Sequence, residues 1–133
     1  LASGVAIAAH AIDPGLALFG AEPRGADDAA QSLAQHRRIT TVVPDTICDG
    51  LRALVGERNL DALRTHHVDV ITVSDAETIA AMQLLWSELK QLVEVSSATV
   101  LAAILQQRER FAGRRVGVVL TGGNVDLQAL PWS

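Results

Sequence analysis

A short apolar run that ends in two glycines constrains the fold of this chain more than any other segment. It lies within Arg114–Leu127, which reads RRVGVVLTGGNVDL. A short strand that is buried on both faces, as in a parallel sheet, is predicted at Val116, Val118, Val119 and Leu120. Thr121 would then lie at the carboxyl end of the strand, where open α/β sheets bind ligands, and Gly122 and Gly123 let backbone approach a ligand closely. On this segment alone, a small-molecule site and a tight turn without a ligand both stay open.

Strand and helix patterns alternate along the rest of the chain. Further strands are predicted at Leu16–Ala21, Val68–Val73 and Leu92–Val95. The predicted helices are Ser3–Ile12 with Ser3 as N-cap, Ala26–Gln35, Gly56–His66, Ala76–Leu89 capped by Ser74 or Asp75, and Ser96–Arg110. This order predicts an α/β fold of three layers, with a mainly parallel sheet flanked by helices. Because the first helix is apolar on most sides, we expect the chain to be the C-terminal portion of a longer fold.

Composition narrows the functional classes. The chain has 133 residues, 49% of them hydrophobic, which suits one domain or part of one. A formal net charge of −4 without a basic block disfavours a nucleic-acid surface. Cys48 is the only cysteine, so we expect a buried, inert thiol in a reducing compartment. Without an apolar run of about 20 residues or a leader pattern, we expect a soluble, cytoplasmic protein with no membrane contact.

Four segments carry a resemblance to a known enzyme family. They are Glu22–Asp28 (EPRGADD), Asp45–Gly50 (DTICDG), Val93–Ala98 (VEVSSA) and Thr121–Asp126 (TGGNVD). In order and spacing they resemble the serine/threonine dehydratase and serine racemase family, whose members are pyridoxal-phosphate (PLP) enzymes of fold type II, like the tryptophan synthase β chain. The resemblance implies that residues 1–133 are the C-terminal portion of the PLP-binding catalytic fold, with no separate regulatory domain.

The resemblance implies a cofactor wall at the glycine turn. Thr121 matches the residue whose hydroxyl meets the pyridine nitrogen of PLP, and Gly122, Gly123 and Asn124 would shape the same wall. A neutral hydroxyl does not force that nitrogen to be protonated, so the ring is a milder electron sink than it is beside a carboxylate. This tuning suits elimination of water from a hydroxy amino acid.

Two further segments match residues beside the cofactor. Asp49 and Gly50 match a turn next to the ring, and Glu94 matches a nearby glutamate. The chain departs from the family pattern immediately after Glu94, with Val95 where proline is usual and Ser97 where glycine is usual. The role of Glu94 therefore depends on how the backbone runs at these two positions.

The start of the chain matches the residues that follow the family's glycine-rich phosphate loop. Ser3 and Gly4 would lie at the far edge of a phosphate site, because amides at the start of a helix suit an anion. A simple N-cap is the alternative role for Ser3.

A divalent-cation site is implied by the match to the racemase branch and related dehydratases. Its ligands would be Glu22, the carbonyl of Ala26 and Asp28. Two carboxylates and a carbonyl, completed by water, suit Mg²⁺, Ca²⁺ or Mn²⁺. The alternative is that Asp27 and Asp28 favour the start of the second helix through its dipole.

The chain lacks a match to the lysine that binds PLP covalently in this family. Lys90 is the only lysine of the chain, and it does not match the Schiff-base lysine of the family, which lies in the N-terminal part. That part also supplies the substrate-carboxylate loop and the acid/base serine, so no catalytic residue is identified in this chain, which alone should be inactive. A zinc site is also not predicted, because His66 and His67 are adjacent and His10 and His36 are isolated in the sequence.

The implied parent reaction removes water from L-serine or L-threonine and yields a 2-oxo acid and ammonia. The substrate is thus a small amino acid, and the parent enzyme is expected to be a homodimer. Two alternatives remain. One is a serine racemase or a hydroxyaspartate dehydratase, and the other is a truncated chain that folds or pairs without turnover.

Overall fold

Two parallel strands form the middle layer of the fold. In the computed structural model, which describes residues 1–132, β1 (Phe19–Pro23) pairs with β2 (Asp69–Val73). The register is parallel and places Phe19 opposite Asp69 and Pro23 opposite Val73. Parallel neighbours need a crossover connection, which two helices provide here. The predicted strands at these two places are confirmed, although the first begins at Phe19 rather than Leu16.

Helices make up the outer layers. They are α1 (Ala2–Ile12), α2 (Asp28–Ala34), α3 (Glu57–Thr65), α4 (Asp75–Leu89), α5 (Val95–Gln106) and the short α6 (Arg108–Phe111), with 3-10 turns at Arg24–Ala26 and Asp49–Leu51. All five predicted helices are confirmed, with shifted ends. The second begins at Asp28 because the first of these 3-10 turns occupies the preceding residues, and the fifth ends at Gln106. Within residues 1–132, no helix is long and apolar enough to cross a membrane.

The alternation of side chains along β2 separates two hydrophobic clusters, one on each face of the sheet. Ile71 and Val73 pack with apolar residues of α4 and α5, among them the buried Met82. Val68 and Val70 pack on the other face with α1, α2 and α3, where Leu63 is buried. The three-layer α/β architecture is therefore confirmed.

A capping box begins α4. The hydroxyl of Ser74 accepts a hydrogen bond from the backbone N–H of Glu77 at 3.2 Å, and the Glu77 carboxylate accepts from the backbone N–H of Ser74 at 2.7 Å. These bonds lower the pKa of Glu77 below its usual value. Of the two predicted caps, Ser74 is thus the one that forms.

The predicted strand before Thr121 is wrong. Val116, Val118 and Val119 are 43%, 42% and 50% exposed, and no strand pairs with them within residues 1–132. β-propensity reflects packing beside neighbouring strands, and the described part of the chain offers this segment no such neighbour. The predicted strand Leu92–Val95 is also wrong, because α5 already begins at Val95.

Candidate cofactor site

Glu94 holds the glycine turn in place. It is the N-cap residue of α5, and its backbone N–H donates a hydrogen bond to the carbonyl of Gly122 at 3.2 Å. Its carboxylate accepts a second bond from the backbone N–H of Asn124 at 3.0 Å. Main chain and side chain of one residue thus bind both ends of the turn, even though Val95 and Ser97 depart from the family pattern here.

Gly122 is required by both conformation and space. Its φ of 84° lies in the left-handed region, which side chains disfavour. A Cβ at this position would lie 2.5 Å from Oε2 of Glu94, well inside contact distance. At Gly123 the nearest atom to a Cβ would be 3.6 Å away, on Leu92, so that position tolerates a side chain.

The turn at Asp49 and Gly50 joins the same group. The backbone N–H of Gly50 donates to the hydroxyl of Ser96 at 3.0 Å and to the Asp49 carboxylate at 2.9 Å. The side-chain amide of Asn124 donates to the other oxygen of Asp49 at 3.4 Å. A Cβ on Gly50 would lie 3.2 Å from Oε1 of Glu94. Three predicted segments therefore meet around the start of α5.

Thr121 is anchored by its backbone and not by its side chain. Its N–H donates to the hydroxyl of Ser97 at 2.9 Å, and Ser97 is only 7% exposed. The hydroxyl of Thr121 is exposed and makes no hydrogen bond within residues 1–132. The site thus presents an unpaired hydroxyl on a fixed backbone.

Ser96 and Ser97 are the site residues that sequence reasoning missed. Ser96 received no predicted role, and Ser97 was noted only as a departure from the family pattern. Each serine accepts a backbone N–H from a different loop. The available signal was a pair of hydroxyl residues at the start of a predicted helix, next to Glu94.

Ser3 and Gly4 lie apart from these contacts. Ser3 belongs to the first turn of α1, whose N-cap is Leu1, so its predicted N-cap role is wrong. Its hydroxyl donates to the carbonyl of Asn59 and accepts from the Asn59 amide, each at 3.2 Å. These bonds bind α1 to α3. The role of Ser3 and Gly4 at a phosphate site stays a prediction.

Glu22 and Asp28 lie close together at the start of α2. The carboxylate of Glu22 accepts backbone N–H groups of Ala29 and Ala30 at 3.3 and 2.9 Å, and Asp28 accepts that of Val55 at 2.7 Å. Burial raises the pKa of Glu22 to about 7, with a smaller upward contribution from the charge of Asp28. Within residues 1–132, no group of three or more histidine, cysteine, aspartate or glutamate side chains could hold a metal ion.

Cys48 and Lys90 take no part in the contacts described above. Cys48 is fully buried, and burial raises the pKa of its thiol to about 11, which keeps the thiol protonated. Its predicted burial is confirmed. Lys90 ends α4 in the left-handed conformation, and its Nζ donates to the carbonyl of Ser87.

A parallel α/β core with a glycine turn at its edge is typical of α/β domains that bind small molecules. Residues 1–122 match the family described as pyridoxal-phosphate dependent enzyme. The chain therefore belongs to the pyridoxal-phosphate dependent enzymes. The predicted family resemblance is confirmed.

Individual relatives agree with this family. The chain is 41% identical over 131 residues to the beta-hydroxyaspartate dehydratase of Paracoccus denitrificans, covering 98% of the chain and 42% of that protein. It is 44% identical over 135 residues to the serine racemase of Arabidopsis thaliana, covering 98% of the chain and 41% of the relative. The crystal structure of the T.th. threonine deaminase matches with a TM-score of 0.88 at 39% identity, covering 95% of the chain and 46% of that structure. The chain thus spans 42% and 41% of the lengths of these two curated relatives.

Proposed function

We propose that the chain forms one wall of the cofactor pocket in a PLP-dependent ammonia-lyase acting on small hydroxy amino acids. The parent reaction removes water from L-serine or L-threonine and yields a 2-oxo acid and ammonia. The observation that carries the proposal is the unpaired hydroxyl of Thr121, whose backbone is held by Ser97 and whose turn is held by Glu94.

The donor set fits the cofactor. The Thr121 hydroxyl would hydrogen-bond the pyridine nitrogen, since it is exposed and has no partner within residues 1–132. The missing Cβ of Gly122 leaves space that the Glu94 carboxylate fills, while Asn124 and Gly50 border the same wall. When bound, PLP withdraws electrons from the substrate Cα. The neutral hydroxyl keeps this withdrawal moderate, which suits loss of water from a hydroxy amino acid.

This chain alone is expected to be inactive. Its single lysine, Lys90, binds the Ser87 carbonyl at the end of α4 and matches no catalytic lysine of the family. We assign no catalytic residue within residues 1–133. Turnover of serine or threonine by the purified 133-residue chain would contradict this part of the proposal.

A second candidate is a serine racemase or a hydroxyaspartate dehydratase. Both activities stand in the names of the relatives, at nearly equal identities of 44% and 41%. The third candidate is a chain that folds or pairs without turnover, and its support is that the single lysine, Lys90, matches no catalytic lysine of the family.

A chimera distinguishes these candidates. Residues 1–133 would replace the matching segment of the Arabidopsis serine racemase, and the purified protein would be assayed with L-serine, L-threonine and L-threo-3-hydroxyaspartate. Formation of pyruvate and 2-oxobutyrate supports the ammonia-lyase. Because the racemase host supplies its own acid/base serine, the same segment is also placed in the T.th. threonine deaminase. D-serine as the main product in both hosts favours the racemase, and turnover of hydroxyaspartate alone in both hosts favours the dehydratase. A folded chimera without any product supports the non-catalytic chain.

We also propose a divalent cation, Mg²⁺, Ca²⁺ or Mn²⁺, held by the carboxylates of Glu22 and Asp28, the carbonyl of Ala26 and water. Support comes from the proximity of the two carboxylates and from the cost of burying the charge of Glu22. A hard cation between the two carboxylates would reduce their mutual repulsion and compensate the buried charge of Glu22.

We also propose the location, the oligomeric state and the partners of the parent enzyme. It would be a cytoplasmic homodimer that binds neither nucleic acid nor membranes, in keeping with a net charge of −4 and a single buried cysteine. Sedimentation of the active chimera tests the homodimer.

A further inference from the structure

Two histidines from different helices meet away from the site around Glu94. His10 lies in the last turn of α1, and His66 is the C-cap residue of α3. Their Nδ1 atoms are 3.1 Å apart, and their ring centroids are 5.1 Å apart. The interpretation of His10 as isolated is therefore wrong, because the packing of α1 on α3 joins residues 56 positions apart.

The protonation of His10 follows from its second contact. Its Nε2 lies 2.9 Å from the carbonyl oxygen of Leu16, which can only accept, so Nε2 carries the proton. Nδ1 therefore presents a lone pair toward His66. A ring N–H donated to a carbonyl, with the other nitrogen left as the one that accepts, is the arrangement that orients histidine ligands in metal sites.

The spacing of the two nitrogens suits one metal ion. Two imidazole nitrogens bound to a tetrahedral zinc ion at about 2.0–2.1 Å lie about 3.3 Å apart. The 3.1 Å between the two Nδ1 atoms is close to this distance, and each ring must turn so that its lone pair points to an ion beside the line that joins the two nitrogens. Because Nδ1 of His10 accepts, Nδ1 of His66 donates the hydrogen bond between the two rings in the metal-free chain. When a metal ion binds, the proton of His66 would move to Nε2 by exchange with solvent, and both imidazoles would stay neutral.

The surroundings also favour a cation. Both imidazoles lie at helix C-termini, where carbonyl groups carry partial negative charge. We propose that His10 and His66 bind a divalent transition-metal ion such as Zn²⁺ or Ni²⁺, which links α1 to α3. Water completes the coordination shell, since within residues 1–132 no third histidine, cysteine, aspartate or glutamate joins the pair.

The test is a calorimetric titration of the metal-free 133-residue chain with ZnCl₂ and, separately, NiCl₂. Excess Mg²⁺ in the buffer keeps hard-oxygen sites such as Glu22 and Asp28 occupied. We expect one ion per chain, a rise in Tm with added zinc, and a Kd about tenfold or more weaker in His10→Ala and in His66→Ala. His67→Ala is the matched control, because this exposed neighbour of His66 lies outside the pair, and it should keep the wild-type Kd.

A measurement on the wild-type chain makes the test independent of variant folding. Nitrogen NMR of the imidazoles should show zinc shifting Nδ1 of His10 and His66, with His36 and His67 unchanged. Zinc binding that survives both alanine variants, shifts confined to other histidines, or the absence of any zinc-dependent shift would overturn the proposal.

Discussion

The backbone N–H of Thr121 donates a 2.9 Å hydrogen bond to the buried hydroxyl of Ser97 in the first turn of α5. The backbone of Thr121, which carries the unpaired hydroxyl, is thereby held at a set place relative to the helix. In the family pattern that these segments resemble, glycine stands at the position of Ser97, and glycine has no side-chain group that could accept this bond. The chain thus uses a side chain of its own to fix the turn.

Ser97→Ala should loosen this turn. Removing the acceptor leaves the Thr121 N–H without its partner, at a cost of about 1 kcal/mol. Amide hydrogen exchange measured by NMR should become faster at Thr121, and Ser97→Thr should largely restore the wild-type rate. Ser96→Ala is the matched control and should affect Gly50 instead, since its hydroxyl accepts the Gly50 N–H. Unchanged exchange at Thr121 in Ser97→Ala would show that the bond does not hold the turn.

Gly122→Ala should lower the free energy of unfolding far more than Gly123→Ala. The first substitution places a Cβ 2.5 Å from Oε2 of Glu94 on a backbone with φ of 84°, whereas the second meets only Leu92 at 3.6 Å. We expect a loss of about 1–3 kcal/mol for Gly122→Ala and less than about 1 kcal/mol for Gly123→Ala. Urea unfolding measures both, and equal losses would refute the close approach of Glu94 to the turn.

The capping box of α4 should affect how the free energy of unfolding changes in acid. Ser74→Ala should cost about 1 kcal/mol near neutral pH, because the helix loses its N-cap. The pKa of Glu77 is lower in the folded chain than in the unfolded chain, so its contribution is present above the unfolded pKa and is lost as the pH falls. Urea unfolding near pH 7 and near pH 3 should therefore show a smaller acid-induced loss in Ser74→Ala than in the wild type.

The control for this prediction is Ser87→Ala, which removes an exposed hydroxyl from the other end of the same helix. It should leave both the stability near neutral pH and the acid-induced loss unchanged. If Ser74→Ala and Ser87→Ala gave the same stability and the same acid-induced loss, the capping box would not stabilise α4.

Glu22 should titrate near neutral pH when no divalent cation is present. Because its folded pKa of about 7 exceeds the ordinary value of 4.5, the folded chain binds the proton more tightly. Stability should consequently fall as the pH rises between these two values. Carbon NMR of the carboxyl group should give a midpoint near 7 in the presence of a chelator, and Glu22→Gln should remove the accompanying loss of stability.

The proposed cation site adds a second readout at the same carboxylates. Excess Mg²⁺ or Ca²⁺ should lower the Glu22 midpoint and raise the Tm of the wild type. The rise in Tm should disappear in Asp28→Asn and persist in Asp27→Asn, whose native side chain accepts from Gln31 instead. A midpoint that does not respond to either cation would argue against the site.

The layers of the fold were predictable because their signals are local. Helical periodicity and the cap at Ser74 act within a few residues, and β2 carries a run of β-branched side chains. The segment before Thr121 has the same composition, yet it is exposed and unpaired within residues 1–132. Strand formation depends on a neighbour, which a local pattern cannot supply.

The candidate site was predictable only in part. The family motifs include Asp49, Glu94 and Asn124, and hydrogen bonds join these three residues in the structure. Their role at a cofactor stays a prediction. The anchoring by Ser97 could not be predicted, since it results from the particular side chain that replaces the usual glycine. The contact between His10 and His66 depends on how α1 packs on α3, and a local sequence pattern cannot predict that packing.

The contact between the Thr121 hydroxyl and the cofactor is tested most directly by substituting Thr121 in the racemase chimera. If the hydroxyl meets the cofactor, Thr121→Ser should retain the PLP absorption spectrum and the activity of the unmodified chimera. Thr121→Ala should shift the absorption maximum and lower kcat/KM by about tenfold or more. Thr41→Ala, which alters an exposed threonine outside the site, should change neither. A Thr121→Ala chimera whose spectrum and kcat/KM match those of the unmodified chimera would contradict the assignment of this turn to the cofactor.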